Sequence, residues 1–262
     1  MKFLKEGRPT LTTMVQATTP ERTIDLIKRG LAIGTDAFGI QLERLEKPYR
    51  NEENFRRIFD AAEGKPLYIT DYQLDRPNRK AERDDGLAEE LLTALKAGGT
   101  LIDVRGDFFD PCGDELTRNP SAIARQKEYI RTIHEKGGLV LMSSHVLQYR
   151  KAEDVLEIAL AQKERGTDIA KIVTSANSDG ELTETLRATV LLREKLGIPF
   201  LFLCNGTHCA LHRRLGPPLG CSMFLCVVEH DALSTPTQPT LANAREVLSS
   251  CGFAELPEGK NT

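Results

Sequence analysis

Eight short apolar runs punctuate this chain, at residues 10–15, 37–41, 67–70, 101–104, 139–143, 169–174, 199–204 and 223–228. Between them lie longer segments whose apolar positions recur every three to four residues. Residues 20–29 carry Ile24 and Ile27 on one face, 53–63 carry Phe55, Ile58 and Ala62, and 85–96 carry Leu87, Leu91 and Leu95. The same period continues in 121–136 (Ile123, Tyr129, Ile130, Ile133), 151–165 (Val155, Ile158, Ala159), 182–196 (Leu186, Val190, Leu191, Leu196) and 241–250 (Ala244, Val247, Leu248). That period belongs to helices with one buried stripe. Runs such as GLVLM and PFLFLC are apolar throughout rather than alternating, as parallel strands covered on both faces are. Strand and helix in alternation predict an α/β fold. Eight strands with helices between them predict a closed (β/α)₈ TIM barrel, a single domain over residues 1–262. The weakest helical pattern is residues 206–219, ahead of the last run.

A length of 262 residues agrees with this reading, since one such barrel takes roughly 250. The net charge of −3 supplies no basic field for nucleic acid or for an anionic membrane surface. The first ten residues, MKFLKEGRPT, carry four charges and no apolar signal-peptide core, and no apolar run approaches the roughly 20 residues that span a bilayer. Six cysteines are too sparse for a disulfide scaffold, and Cys204, Cys221 and Cys226 lie in or beside apolar runs. A cytoplasmic protein with reduced thiols is expected, with neither nucleic acid nor membrane as partner.

In this fold, chemistry gathers where strands end and the following loops begin. Two residues there draw notice. Lys171 sits within the apolar run Asp168-Ile169-Ala170-Lys171-Ile172-Val173-Thr174. Lysine is rarely buried. A desolvated amine gives up its proton more readily and is then a nucleophile toward ketones. The alternatives are a lysine that snorkels outward or pairs with a core carboxylate. His145 ends the preceding run, Leu139-Val140-Leu141-Met142-Ser143-Ser144-His145, where an imidazole is placed to act as general acid and base. On its own, a loop histidine bonded to a backbone carbonyl explains His145 as well. The pairing of the two residues on adjacent strands favours chemistry.

These two motifs resemble the type I 3-dehydroquinate dehydratases. The likeness extends to His212-Arg213-Arg214-Leu215-Gly216, where Arg214 matches the family's Ser-Arg-Leu arginine. It extends also to Ser234-Thr235-Pro236-Thr237-Gln238, which matches a Ser-x-Pro-x-Gln motif. The resemblance implies a hydro-lyase that converts 3-dehydroquinate to 3-dehydroshikimate without cofactor or metal, as a homodimer acting on a small keto-carboxylate. It implies that Lys171 forms a Schiff base with the C3 ketone, and that His145 removes the adjacent proton and returns one to the departing C1 hydroxyl. Arg214 would hold the carboxylate, while Ser234 and Gln238 would close the site.

The chain departs from the family pattern at the ends of the second to fourth runs. Gln41-Leu42-Glu43-Arg44 replaces Glu-x-Arg, and Gln41 and Glu43 are the candidates there for substrate hydroxyls. Tyr72 stands at the arginine of Thr-x-Arg, with no glutamate at the offset that orients the histidine in the family. Asp103-Val104-Arg105 replaces Asp-x-Glu. Asp103 is the expected acid behind His145, with Asp71 and Asp75 as alternatives. The basic stretch around Arg76, Arg79, Lys80 and Arg83 reads as a mobile lid. The rivals to the dehydratase reading are a Schiff-base lyase of a different cyclic keto-carboxylate and a metabolite-binding barrel without catalysis.

Overall fold

A computed structural model describes residues 3–259, so that Lys2, one of the four charges at the start of the chain, lies outside them. Eight parallel strands alternate with eight α-helices: β1 (Thr10–Val15), α1 (Pro20–Ile33), β2 (Ala37–Gln41), α2 (Glu52–Asp60), β3 (Leu67–Thr70), α3 (Ala81–Ala97), β4 (Leu101–Arg105), α4 (Pro120–Glu135), β5 (Leu139–His145), α5 (Ala152–Glu164), β6 (Ile169–Ser175), α6 (Asp179–Lys195), β7 (Phe200–Asn205), α7 (Cys209–Leu219), β8 (Met223–Cys226) and α8 (Leu241–Ser250). The ladder runs in chain order from β1 to β7, with β8 hydrogen-bonded to β1. At the seam between β7 and β8 the Ser222 N–H donates to Phe200 O at 2.8 Å, and Phe200 N–H donates to Ser222 Oγ at 3.2 Å. The result is a nearly closed (β/α)₈ barrel. Among the described residues no helix is long and apolar enough to cross a membrane.

The first three strands have the bounds that the apolar runs predict. The next three reach further. Ladder pairing continues through Arg105 opposite Ser143, His145 opposite Val173 and Ser175 opposite Asn205, so polar residues past the apolar runs remain strand. His145 is therefore the last residue of a strand rather than a loop residue, and its backbone is fixed. β8 stops at Cys226, two residues short of the predicted end, where the chain keeps only the isolated bridge from Val227 to Thr240.

Alternation decides which side chains face inward. On β6, Ala170 and Ile172 pack outward with Val155, Ala159, Ala188 and Leu192 of the helical shell. Ile169 and Val173 point into the barrel beside Tyr68, Leu101, Leu141, Leu201 and Met223. Lys171 shares that inward phase and is only 5% exposed. Gly39 makes room beneath it: a Cβ there would fall 2.2 Å from Met14 Sδ and 3.2 Å from Tyr68 Cδ1, both parts of the barrel filling.

Candidate active site

Three inward side chains meet the Lys171 amine. Its Nζ lies 3.1 Å from Asp103 Oδ2, 2.9 Å from the Tyr68 hydroxyl and 3.1 Å from the Tyr72 hydroxyl. Both phenols donate to Asp103 Oδ2, and Ser143 Oγ donates to Asp103 Oδ1 at 2.5 Å. Burial, then the adjacent Asp103 charge, pushes both phenols well above their ordinary value, so each keeps its proton and acts as donor. Lys171 thus combines two of the readings open to it. It is buried at the barrel centre, and it is paired with a core carboxylate. A buried ion pair persists when hydrogen bonds satisfy the remaining valences, and besides Lys171, Asp103 has three such donors, Tyr68, Tyr72 and Ser143.

That placement corrects the role expected of Asp103: it serves the lysine, not the histidine. Asp71 is also elsewhere, buried with Arg50 Nη1 at 3.5 Å, and Asp75 accepts from Asn78. The acid at His145 is Glu115, from the loop between β4 and α4. Glu115 Oε2 lies 2.7 Å from His145 Nδ1 and accepts the His145 backbone N–H at 2.8 Å. Arg79 Nη1 and Arg76 Nη2 hold its other oxygen at 2.5 and 2.8 Å. Burial works to raise the Glu115 carboxyl, but His145, Arg76 and Arg79 together hold it well below the usual carboxylate range. An ionised acceptor on Nδ1 fixes the tautomer that leaves Nε2 for proton transfer.

The loop reaches the histidine by a tight approach. A Cβ on Gly106 would lie 2.5 Å from Glu115 O and 2.8 Å from Ser144 Oγ, and Glu115 itself is held at φ +49°. Such backbone strain recurs at functional positions. Behind it a buried chain of ion pairs runs from Arg79 to Asp107 (2.8 Å), from Asp107 to Arg105 (3.0 Å) and from Arg105 to Asp84 on α3 (3.0 Å). Arg105 is therefore structural, and the stretch read as a lid is tethered: Arg76 also donates to His145 O at 2.7 Å. Glu115→Gln keeps the shape but removes the charge. It is expected to lower kcat by about 10² to 10³, with little change in KM. Steady-state kinetics check this, and an unchanged kcat contradicts it.

Lys171 and His145 open into a cleft of about 160 Å³ at the C-terminal end of the barrel, shared with Gln16, Gln41, Thr70, Tyr72, Asn205, Arg213, Thr235 and Gln238. The arginine in it is Arg213, not Arg214. Arg213 donates from Nε to Cys204 O at 3.1 Å and from Nη2 to Asn205 Oδ1 at 2.9 Å, which aims its guanidinium from α7 into the cleft. Arg214 points along its own helix, bonding Ala210 O at 2.9 Å. Gln238 lines the cleft as expected, whereas Ser234 is spent on a turn with Asp231, and Thr235 faces the cleft instead. Gln41 lines it too. The Oε1 atoms of Gln41 and Gln16 are buried without a partner.

Glu43 does not line the cleft. It is buried, and Thr70 Oγ1 donates to its two oxygens at 2.9 and 3.2 Å. Burial outweighs the bonds from its own backbone and from Thr70 and raises its carboxyl to about 7. Between the unfolded value near 4.5 and 7 the folded state keeps a proton that the unfolded state has lost, so stability falls as pH rises through that window. The loss is on the order of 3 kcal/mol. Glu43→Gln lacks this dependence. Urea unfolding should show the variant gaining on the wild type by about 2–3 kcal/mol between pH 4 and pH 8; a difference that does not vary with pH contradicts the assignment.

A larger, open groove of about 560 Å³ lies between α4 and α5, lined by Arg118, Lys127, Asp154 and Glu157 among others. Its charges are balanced and it holds neither the lysine nor the histidine. The smaller cleft gathers a buried lysine, an imidazole whose Nδ1 is held by a carboxylate, and a buried arginine. The described cysteines are unpaired thiols, and burial pushes those of Cys204, Cys221 and Cys226 up to about 12.

A family model for type I 3-dehydroquinase matches residues 11–254. No curated protein sequence matches the chain. Among solved structures, it is similar to a type I 3-dehydroquinate dehydratase from Clostridium difficile with covalently modified comenic acid, at 18% identity and TM-score 0.79, covering 94% of each chain. It is also similar to a 3-dehydroquinate dehydratase from Geobacillus kaustophilus, at 18% identity and TM-score 0.77, covering 94% of this chain and 92% of that one. The corresponding protein of Enterococcus faecalis gives 16% identity and TM-score 0.76, with 94% and 95% covered. At these identities the structural likeness establishes the fold.

Proposed function

The chain belongs to the type I 3-dehydroquinase family, and on that premise we propose that it dehydrates 3-dehydroquinate to 3-dehydroshikimate through a Schiff base on Lys171. The observation that carries the reading is the buried Lys171 amine at the floor of a cleft whose wall bears His145. Asp103 takes a proton from Lys171, and the free amine attacks the ketone. The resulting iminium draws electrons from the adjacent C–H bond. His145 Nε2 removes that proton and returns it to the departing hydroxyl, held in phase by Glu115. Water then hydrolyses the product imine. Arg213 takes the role that the resemblance gives to Arg214, the bidentate hold on the carboxylate. The unpartnered amide oxygens of Gln16 and Gln41 are available to accept from substrate hydroxyls. On the resemblance alone, we also propose a cytoplasmic homodimer with no resident cofactor.

The test is turnover of 3-dehydroquinate followed by absorbance of the conjugated product. The proposal expects dehydration at an enzyme-like rate. One observation favours a second reading, a different cyclic keto-carboxylate. Gln41 and Tyr72 occupy the places where the family resemblance expects a glutamate and an arginine, so the wall that reads ring hydroxyls is less charged. Negligible dehydration together with an imine at Lys171 decides for that reading.

A further inference from the structure

Lys171 Nζ has three polar partners, and they differ in what else they touch. Tyr68 and Asp103 are buried and do not line the cleft, while Tyr72 does. The Tyr72 hydroxyl is 3.1 Å from Nζ, and its ring meets the His145 ring edge-on at 5.4 Å between centroids. A ketone carbon at bonding distance from Nζ therefore places its oxygen beside the Tyr72 hydroxyl. His145 is poorly suited to that oxygen. Its Nδ1 is committed to Glu115, and the single remaining nitrogen is needed at the C–H bond.

We propose that Tyr72 is a catalytic acid–base for imine formation and hydrolysis at Lys171, with Asp103 as its proton reservoir. The inference rests on the Schiff-base reading and divides its labour: Tyr72 serves the carbonyl oxygen and His145 serves carbon. The protons balance. The Lys171 ammonium gives one proton to Asp103, and the amine forms the C–N bond as the carbonyl π electrons move to oxygen. Tyr72 delivers a proton to that oxygen and takes one from nitrogen, giving the neutral carbinolamine. The nitrogen lone pair then expels the hydroxyl, which leaves as water with the proton stored on Asp103, passed through Tyr72. The ammonium–carboxylate pair has become an iminium–carboxylate pair, so the net charge of the site is unchanged. The phenol is never released as a free phenolate, because each proton it gives is replaced in the same step.

The test is the rate at which borohydride-trappable adduct forms after rapid mixing of the full chain with 3-dehydroquinate. Tyr72→Phe should form adduct about 100-fold more slowly while reaching the same final extent, and Tyr68→Phe should lose less than tenfold. Equal losses in the two variants, or a wild-type rate in Tyr72→Phe, overturn the proposal. Absence of adduct in the wild type overturns the Schiff-base reading itself. Should Tyr72→Phe misfold, 3-fluorotyrosine at position 72 decides: size and hydrogen bonds are kept and only acidity changes. The rate of adduct formation at neutral pH should then change several-fold with the acidity of the phenol, and a rate equal to that of the wild type overturns the role.

Discussion

Replacing Lys171 by methionine is expected to lower turnover of 3-dehydroquinate by at least about 10⁴-fold, because the covalent route and its electron sink disappear together. Methionine matches the length of the lysine stem and suits the inward neighbours Ile169 and Val173. Breaking a buried ion pair commonly costs several kcal/mol, since the remaining charge is left without a partner. Here Asp103 keeps donors from Tyr68, Tyr72 and Ser143. The loss should stay within about 2 kcal/mol, and the barrel should remain folded by circular dichroism. A folded Lys171→Met variant with the wild-type rate removes the lysine from the mechanism.

The second large effect is expected for His145→Ala. Loss of a positioned acid–base should slow dehydration by about 10³ to 10⁴. If Tyr72 governs the imine, adduct formation in this variant should fall far less than dehydration does. The chain would then hold the substrate imine, seen as accumulation of trappable adduct under turnover conditions. Folding should be little affected, because the His145 side chain is 17% exposed and Glu115 retains Arg76 and Arg79. Equal slowing of adduct formation and dehydration assigns both steps to His145, and unchanged rates reject it as proton carrier.

Much of this arrangement is legible in the sequence because it follows from periodicity. The eight apolar runs specify the barrel; a run apolar on both faces leaves open whether Lys171 points inward or outward, and the structure decides it by placing Lys171 in alternation with Ile169 and Val173. The same alternation along Tyr68, Thr70 and Tyr72 points to both phenols, a signal that the comparison with the family arginine obscures. Asp103, expected behind His145, faces inward onto Lys171 instead. Its partner differs because it sits at the level of Leu141 in the ladder, four residues below the level of Val173 and His145 on its neighbours' count, where Ser143 and Lys171 are within reach.

Other features have no periodic signal. Glu115 comes from an irregular loop at positive φ, brought in by the close approach at Gly106 and by arginines far away in sequence. Nothing local distinguishes it from the neighbouring acids Asp110 and Asp114. The choice between Arg213 and Arg214 is one of helical phase. Adjacent residues on a helix point about 100° apart, and the phase of α7 is set where the helix starts, at Cys209. Matching Arg214 to the following Leu-Gly fixes a sequence register, whereas burial of Cys209, His212, Arg213 and Gly216 fixes the face that meets the barrel.

The central claim is that the Lys171 amine forms a bond to substrate carbon. The direct measurement is borohydride reduction in the presence of 3-dehydroquinate, followed by peptide mass analysis. One reduced adduct per chain, located on the peptide at Lys171, is the result expected. A chain that turns over substrate yet yields no adduct, or carries it on a different lysine with Lys171 unmodified, contradicts the account.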